Sequence, residues 1–539
     1  MAGPKAERMT DYIFQPEDRG ALPGSPYTPP LAAARRAAHG AVGVIAGLGA
    51  GFGNAVVTTN LGTIGGGIGL TMAEAMWLPV TYVALNATAN LFLVRGRLQF
   101  GVAQVTHGLL VLYAFAAFAG LMLPSAASAL GLRAVAGLAS AGVLTLSVYH
   151  LTQALPLRAR ALALVLGATL PQFGTPFARL LPVDLLADPA ALPLMECMVA
   201  LILLGASLAL PLPPAIRANG FERRDIAALL LFAPGIWMVC AAIGQGRLLW
   251  WWDTPWIMPT LIGGILLITL GLVTEHFRAR PLILTRWLGQ REIMRFVVVA
   301  LLLRLALAEQ SYGAVGFLTS AGLGNEQLRT LFAIVAVAMA LGLIVVCLVL
   351  TEARIPWLVV TALLLIALAG WLDGGATSQT RAGQLYVSQA LIGFSLTLAV
   401  GPALLYGFIR VLRGTPEALV SLVVVFSLSQ NLGGLAGASL IGSYQIGQAR
   451  FHAATLAESL DPGDPVVAAR LGLEEARFRA TFTDPQRRRA VAASALNRSL
   501  RNEASVLGFN DTFRLISILA LFLALYIAAI ALGRKGSVP

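Results

Sequence analysis

The chain has 539 residues, of which 57% are hydrophobic and only 12% are charged, and its mean hydropathy is +0.78. Soluble globular chains are roughly 45–50% apolar and about 25% charged, so this composition excludes a soluble fold. The apolar residues form continuous runs rather than alternating segments of about ten residues, which excludes a membrane β-barrel. The sequence therefore predicts an all-α protein embedded in a lipid bilayer.

The net charge of +12 does not indicate a nucleic-acid partner, because the arginines lie mainly between the apolar runs. Three cysteines, Cys197, Cys240 and Cys347, lie within apolar runs, and the five histidines share no ligand spacing. This pattern predicts neither a disulfide nor a metal site. Since no nucleophile–base pair is visible at membrane depth, we expect no enzyme activity, no catalytic residue and no cofactor.

Fourteen apolar runs follow a polar leader that is rich in proline. The leader, residues 1–38, lacks the order of a signal peptide, so we expect a cytoplasmic and poorly ordered segment. Each later run has about the 20 residues needed to cross a hydrocarbon core. The predicted transmembrane helices are residues 40–60, 75–94, 100–123, 130–153, 159–181, 192–212, 225–244, 256–275, 293–313, 328–351, 355–373, 383–409, 417–440 and 512–533.

The distribution of Lys and Arg supports this count. If the N-terminus lies in the cytoplasm, the cytoplasmic segments carry 21 of these residues, whereas the six short segments on the other side carry only Arg247, Arg329 and Arg381. Cytoplasmic loops of membrane proteins carry such an excess, and long loops are exempt from the rule. The sequence therefore predicts an inner (cytoplasmic) membrane protein with both termini in the cytoplasm, including a short tail at 534–539.

Residues 441–511 form a long segment on the predicted external side. Ala, Leu and Arg recur at helical spacing over 466–482 and 486–507, so we expect two or three short amphipathic helices. Proline and glycine predict a turn at 461–465.

Several motifs resemble those of the EmrB/QacA-type drug:proton antiporters, which are fourteen-span members of the major facilitator superfamily. The motifs are Gly244-Gln245-Gly246-Arg247 with Trp250-Trp251-Trp252-Asp253, Glu275 with Arg280-Pro281-Leu282-Ile283-Leu284, Ser429-Gln430-Asn431-Leu432-Gly433-Gly434-Leu435-Ala436-Gly437, and Asn510-Asp511-Thr512-Phe513. The resemblance extends over residues 40–533. It implies a major facilitator fold and the export of amphipathic or hydrophobic small molecules in exchange for protons.

The resemblance also implies how the chain is divided. Two six-helix bundles, residues 39–213 and 278–533, would flank two inserted helices in residues 214–277. The second bundle would include the external segment. The bundles would rock around a cavity at the membrane midplane and so give alternating access.

Positions that handle protons in that family are changed in this chain. The first span has Asn54 where an Asp is usual, and the turn after the second span, Arg95-Gly96-Arg97, lacks its Asp. The fourth-span motif keeps Arg133, and the fifth-span antiporter motif keeps Pro171 and Gly174. If transport is coupled to protons, the titrating acid must therefore lie elsewhere.

Ionisable residues deep in a span are costly and are candidates for function. Arg304 and Glu309 lie in the ninth span with a net rotation of about 140° between them, so they do not face each other. Glu309 is the candidate proton carrier and Arg304 the candidate contact for an anionic substrate; alternatively, both satisfy partners on neighbouring helices. Arg133 lies near the external end of its span, where a coupling role and snorkelling are equally open. Arg179 and Glu196, beside an external loop, are expected to be interfacial.

Uncharged polar residues complete the candidate site. Asn54, Asn86, Asn90, Gln172 and Gln310 lie on helices that should line the central cavity; alternatively, they hydrogen-bond neighbouring helices. The expected partners are a small-molecule substrate, a proton and the bilayer, and the resemblance adds a periplasmic adaptor protein and an outer-membrane duct. Two alternatives are an organic-anion transporter without the usual proton coupling and a non-transporting receptor or scaffold on the same fold.

Overall fold

The structure, a computed structural model, describes residue 18 and residues 25–215, 217, 220–460 and 463–535. Fourteen helical segments account for most of this chain, and we number them α1 to α14. They are α1 Ala33–Thr59, α2 Trp77–Phe100, α3 Val102–Met122, α4 Ala126–Ala154, α5 Ala161–Leu180, α6 Ala191–Ala209, α7 Arg223–Gly246, α8 Ile257–His276, α9 Arg291–Ala306, α10 Asn325–Val349, α11 Ile355–Asp373, α12 Tyr386–Gly414, α13 Leu419–Glu458 and α14 Pro485–Lys535.

Thirteen of the described helices are long and apolar enough to cross a membrane. The remaining predicted span, the ninth, is broken: α9 ends at Ala306, and the chain continues as the π-helical turn Glu309–Ala314 and the short helix Val315–Ser320. The three pieces together cover the predicted span, so the structure is consistent with fourteen. π-Helical turns inside helices occur frequently at functional sites.

The helices form two six-helix bundles, α1–α6 and α9–α14, with α7 and α8 inserted between them in the sequence. Each bundle surrounds its own large cluster of buried apolar side chains. Helices α7 and α8 pack on each other, and α7 also contacts α2 and α13. Large apolar side chains on α8, such as Ile262, Leu266 and Leu270, are exposed. An apolar exposed face is what a lipid-facing helix requires.

Part of the leader that we expected to be poorly ordered has defined contacts. Residues 25–32 run beside the ends of α4 and α5, and α1 already begins at Ala33. The Tyr27 carbonyl accepts a hydrogen bond from Gln153 Nε2 at 2.7 Å, and Thr28 Oγ1 accepts one from Arg160 Nη1 at 2.9 Å. The expectation was wrong for residues 25–32, because the side chains of Gln153 and Arg160 donate hydrogen bonds to the Tyr27 and Thr28 backbone carbonyls. Residues 1–17 and 19–24, and 536–539 of the expected tail, lie outside the described residues.

The long external segment is built differently from our expectation. Helix α13 continues without a break to Glu458, and α14 already begins at Pro485. The helix expected at 486–507 is therefore the first part of the last span, and only Pro465–Arg477 forms a separate short helix. No proline interrupts 486–535, so nothing in the sequence ends the helix at the membrane surface. Of the turn expected at 461–465, residues 461 and 462 lie outside the described residues.

Candidate functional site

Two clusters of buried polar side chains lie inside the bundles, both toward the predicted external side. We call Asn54, Tyr82, Arg133 and Glu196 the paired cluster, because it contains one basic and one acidic residue. We call Glu309, Gln310, Asp373 and Gln389 the acidic cluster, because its two charged residues are both carboxylates. The first belongs to the bundle α1–α6 and the second to the bundle α9–α14.

The paired cluster neutralises its own charges. Arg133 on α4 is fully buried, and its Nη1 donates to the carboxylate of Glu196 on α6. Its Nη2 donates to Asn54 Oδ1 at 3.0 Å, and its guanidinium lies 4.5 Å from the centre of the Tyr82 ring. Arg133 therefore does not snorkel to the surface. The expectation that Glu196 is interfacial was wrong, since a buried arginine provides its counter-charge.

The acidic cluster is organised by the amide of Gln389. Gln389 Nε2 on α12 donates to both carboxylate oxygens of Glu309, at 3.1 and 3.2 Å, and to Asp373 Oδ2, at 3.0 Å. Gln310 Nε2 donates to the Gln389 carbonyl at 3.3 Å. Glu309 and Asp373 are almost completely buried. Neither carboxylate forms an ion pair with Lys, Arg or His within the described part of the chain.

This geometry brings two carboxyl groups together without a cation. Because the same nitrogen contacts both, the nearest Glu309 and Asp373 oxygens lie within about 6 Å of each other, a range in which two negative charges oppose each other. Two ionised carboxylates in a buried site are costly, whereas one shared proton removes the repulsion. The arrangement can therefore take up and release a proton.

Arg304 points away from the acidic cluster, as the helical rotation predicts. Its Nη1 lies 3.4 Å from Gln172 Oε1 on α5, in the other bundle. A side chain of this size fits because Gly433 and Gly434 of α13 have no Cβ: a Cβ at Gly433 would lie 3.0 Å from the Arg304 Cβ and Cγ. Arg304 and Gln172 are half-buried. They therefore lie where the two bundles face each other, near the predicted central cavity.

Asn86 and Asn90 connect the two bundles. Asn90 Nδ2 on α2 donates to Ser427 Oγ on α13 at 2.9 Å, and Asn431 Nδ2 donates to Asn86 Oδ1 at 2.7 Å. Both asparagines of α2 are nearly buried. The geometry fits hydrogen bonding between helices, and their lining of a substrate cavity stays a prediction, as it does for Asn54, Gln172 and Gln310.

The antiporter-type motif allows a close contact between α1 and α5. Pro171 lacks a backbone N–H, and α5 narrows to a 3₁₀ turn over Leu170–Phe173. A Cβ at Gly51 would lie 2.0 Å from the Pro171 carbonyl oxygen, and a Cβ at Gly174 would lie 2.9 Å from the Gly51 backbone. The motif thus fixes the packing of two helices, while its role in transport stays a prediction.

Hydrogen bonds among Arg179, Asn325 and Asn60 join the two bundles at the predicted external side. Arg179 on α5 donates to Asn325 Oδ1 on α10, and Asn325 Nδ2 donates to Asn60 Oδ1 at the end of α1. The Arg179 guanidinium also lies 5.5 Å from the centre of the Phe332 ring. Only 8% of Arg179 is exposed. The expectation that Arg179 is interfacial was therefore wrong.

A charged network at the predicted cytoplasmic side holds the inserted helices to the last part of α2, which continues as helix through the turn expected at 95–97. Arg278 donates to Glu275 and Asp225, both at 2.7 Å, and to Glu222 at 3.0 Å. Burial alone would lower the pKa of the Arg278 guanidinium, but these hydrogen bonds outweigh it and raise the pKa above its ordinary value. Arg95 Nε lies 3.9 Å from Asp225 Oδ2. Asp225 thus provides an acid beside Arg95, close to the stretch from which an Asp is missing.

Sequence reasoning identified Glu309 but missed Asp373 and Gln389. Asp373 is the last residue of a predicted span, so it was not recognised as buried, and Gln389 is uncharged. In the sequence, both residues are polar side chains near the end of an apolar run, and this is the signal that could have identified them. Their proximity depends on the packing of α9, α11 and α12, which a single sequence does not reveal.

Comparisons with known proteins support the fold. No family model matches the sequence, and no curated protein matches it. The proton:xylose symporter XylE, bound to 6-bromo-6-deoxy-D-glucose, has a similar structure, with a TM-score of 0.52 and 12% identity over 92% of this chain and 96% of that chain. The human organic anion transporter MFSD10 (TETRAN) gives a TM-score of 0.53 and 14% identity over 90% of this chain and 99% of that chain.

A bacterial homologue of the human drug peptide transporters PepT1 and PepT2 gives a TM-score of 0.54, with 12% identity over 93% of this chain and 100% of that chain. At these identities the similarity concerns the fold alone. The chain has the major facilitator fold, with two six-helix bundles and two inserted helices, as the sequence predicts.

Proposed function

We propose that this chain is a secondary active transporter that exports amphipathic or hydrophobic small molecules in exchange for protons. The observation that carries the proposal is the acidic cluster, two buried carboxylates that share one amide donor and have no cation beside them within the described residues. The major facilitator fold and the motifs that resemble the EmrB/QacA-type antiporters support the same function. Export and the substrate class rest on that resemblance.

In the proposed mechanism the two bundles rock about the interface where α2 meets α13 and α5 meets α10 and α12. The acidic cluster lies within one bundle, so its geometry is kept while its access to either side changes. A proton bound by Glu309 and Asp373 from the external side would be released to the cytoplasm. Substrate would move in the opposite direction through the cavity beside Gln172 and Arg304.

The proposed orientation places the chain in the inner membrane with both termini in the cytoplasm. The proposed units are residues 39–213, 214–277 and 278–533, the last with an external hairpin made of the ends of α13 and α14. Cysteine labelling of intact cells tests this orientation: Ser459→Cys and Ser494→Cys should react, whereas Ser25→Cys should not. Labelling at residue 25 from outside would contradict the proposed topology.

The external hairpin is also a proposed contact for a periplasmic adaptor protein that leads to an outer-membrane duct. Its short helix Pro465–Arg477 carries Val466 and Leu473, whose side chains are largely exposed. Deleting 461–490 should leave transport in vesicles intact and abolish resistance of cells to exported compounds. Unchanged resistance would count against an adaptor.

The coupling is tested in vesicles that contain the purified protein and a panel of neutral, anionic and cationic amphipathic dyes. Glu309→Gln keeps size and hydrogen bonding but cannot release a proton. We expect it to lose flux driven by a pH gradient and to keep counterflow exchange, which needs no gradient. Asp373→Asn should give the same result, because the two carboxyl groups act as one site.

Glu326→Gln is the matched control, since Glu326 is an exposed acid near the start of α10. It should leave both kinds of flux unchanged. Gradient-driven flux that persists when Glu309 and Asp373 are replaced together would remove the acidic cluster from the mechanism. Absence of flux for every dye in the unmodified protein would favour the receptor or scaffold alternative.

A further inference from the structure

We propose that Arg304 binds an anionic group of the substrate, so that the transported molecules are amphipathic anions, such as aromatic or aliphatic carboxylates. The inference rests on the proposed transport function and specifies its substrate class. It follows from the position and the unsatisfied charge of one side chain.

Arg304 is a cation without a counter-charge. Within the described residues no carboxylate forms an ion pair with it, and its nearest acceptor is the neutral Gln172 Oε1, at the long distance of 3.4 Å. Arg133, the fully buried arginine of the paired cluster in the other bundle, pairs with Glu196. An arginine inside the membrane that lacks such a partner is costly, and residues of this kind mark substrate and ion pathways.

The guanidinium of Arg304 also keeps most of its hydrogen-bonding capacity. It has five N–H groups, of which only Nη1 has an acceptor within the described residues, and Nε is buried without one. Arginine prefers carboxylate and phosphate groups because its planar fork donates two parallel hydrogen bonds to them. A carboxylate beside Nη1 and Nη2 would supply both the missing charge and the missing acceptors.

The guanidinium of Arg304 lies between the two bundles, on the proposed substrate path. It extends from α9 across the Gly433–Gly434 face of α13 toward Gln172 of α5. These helices belong to both bundles, so an anion held here contacts both sides of the moving interface. The apolar part of the same molecule would lie against the apolar side chains of these helices.

The test is binding to the full chain in lipid nanodiscs, measured by titration calorimetry without a pH gradient. Three probes share one naphthalene ring: 2-naphthoate, 2-naphthalenemethanol and the (2-naphthylmethyl)trimethylammonium ion. We expect 2-naphthoate to bind most tightly and Arg304→Gln to weaken it about tenfold to a hundredfold, which is the range of a charge-assisted hydrogen bond. Arg304→Lys should restore part of the affinity, because it restores the charge without the fork.

The matched control is Arg329→Gln, which removes a half-exposed arginine near the start of α10 and should not change binding. If Arg304→Gln does not fold, Gly434→Ala replaces it: its methyl group would lie 3.4 Å from Nε and Nη2 of Arg304 and should weaken 2-naphthoate several-fold with the charge retained.

Equal binding of all three probes, tighter binding of the cation, unchanged affinity in the variants, or no binding of 2-naphthoate would each overturn the inference. Because no gradient is present, these outcomes are independent of whether transport is coupled to protons. A failed inference is thus distinguishable from a failed proposal of function.

Discussion

The two bundles bury charge in opposite ways. In the bundle α1–α6, Arg133 and Glu196 neutralise each other, and Asn54 accepts a further hydrogen bond from the arginine. In the bundle α9–α14, Glu309 and Asp373 share only the Gln389 amide. The Arg133–Glu196 pair is electrically neutral while buried. Two buried carboxylates repel each other unless one of them binds a proton. The paired cluster thus holds fixed charges, whereas the acidic cluster is the proposed site of an exchangeable proton.

The paired cluster also explains why proton coupling is compatible with an Asn at position 54, where the EmrB/QacA-type antiporters that the sequence resembles have an Asp. Asn54 takes the position of that acid and serves as an acceptor for Arg133. A carboxylate at position 54 would compete with Glu196 for one arginine. With Asn54 the paired cluster is electrically balanced. The two carboxylates of the acidic cluster lie in the π-helical turn after α9 and at the end of α11.

The largest effect is expected from breaking the paired cluster. Arg133→Gln leaves Glu196 buried without a counter-charge and should destabilise the folded protein by about 3–5 kcal/mol. Thermal unfolding in detergent, followed by the fluorescence of a thiol-reactive dye that reaches the buried Cys240 on unfolding, measures the change. The double variant Arg133→Gln/Glu196→Gln removes both charges and should recover much of the loss. A single variant as stable as the unmodified protein would show that Glu196 does not depend on Arg133.

A smaller effect is expected for the acidic cluster, where replacing both carboxylates should change how the stability depends on pH. If the folded protein holds a proton there that the unfolded chain releases, the folded state binds more protons, and its stability falls as pH rises. Glu309→Gln/Asp373→Asn removes the site, so the unfolding temperature of this variant should fall less between acidic and alkaline pH. Parallel pH profiles for the variant and the unmodified protein would argue against a bound proton.

The smallest effect is expected where the buried contact is uncharged. Asn90→Ala removes one hydrogen bond to the opposite bundle, at Ser427, together with two to Asn86 on its own helix. Hydrogen bonds between membrane helices average about 0.6 kcal/mol. The unfolding temperature should therefore change little compared with Arg133→Gln. A loss as large as that of Arg133→Gln would mean that neutral contacts, not charges, dominate the stability of the bundles.

The sequence predicted the fold better than the site, for a physical reason. Crossing a bilayer requires long apolar runs and an excess of cytoplasmic arginine, and both are local properties of the chain. Glu309 and Arg304 were recognised because they interrupt such a run. Asp373 was not, because it ends one.

Partnerships between distant helices could not be inferred from one sequence. The pairing of Arg133 with Glu196 joins α4 to α6, corrects the expected interfacial position of Glu196 and excludes the snorkelling alternative for Arg133. The continuous helices beyond the membrane were missed for a different reason. The predicted spans end α13 too early and begin α14 too late, because they stop where polar residues replace apolar ones. The helices themselves continue through these polar residues.

The most direct test of a shared proton is infrared difference spectroscopy of the reconstituted protein through a pH titration. A protonated carboxyl group absorbs at a carbonyl frequency distinct from that of a carboxylate. We expect a protonated-carboxyl band at neutral pH in the unmodified protein that shifts in Glu309→Gln and in Asp373→Asn and is absent in the double variant. An unmodified protein without such a band, or a band that is identical in the double variant, would contradict this expectation.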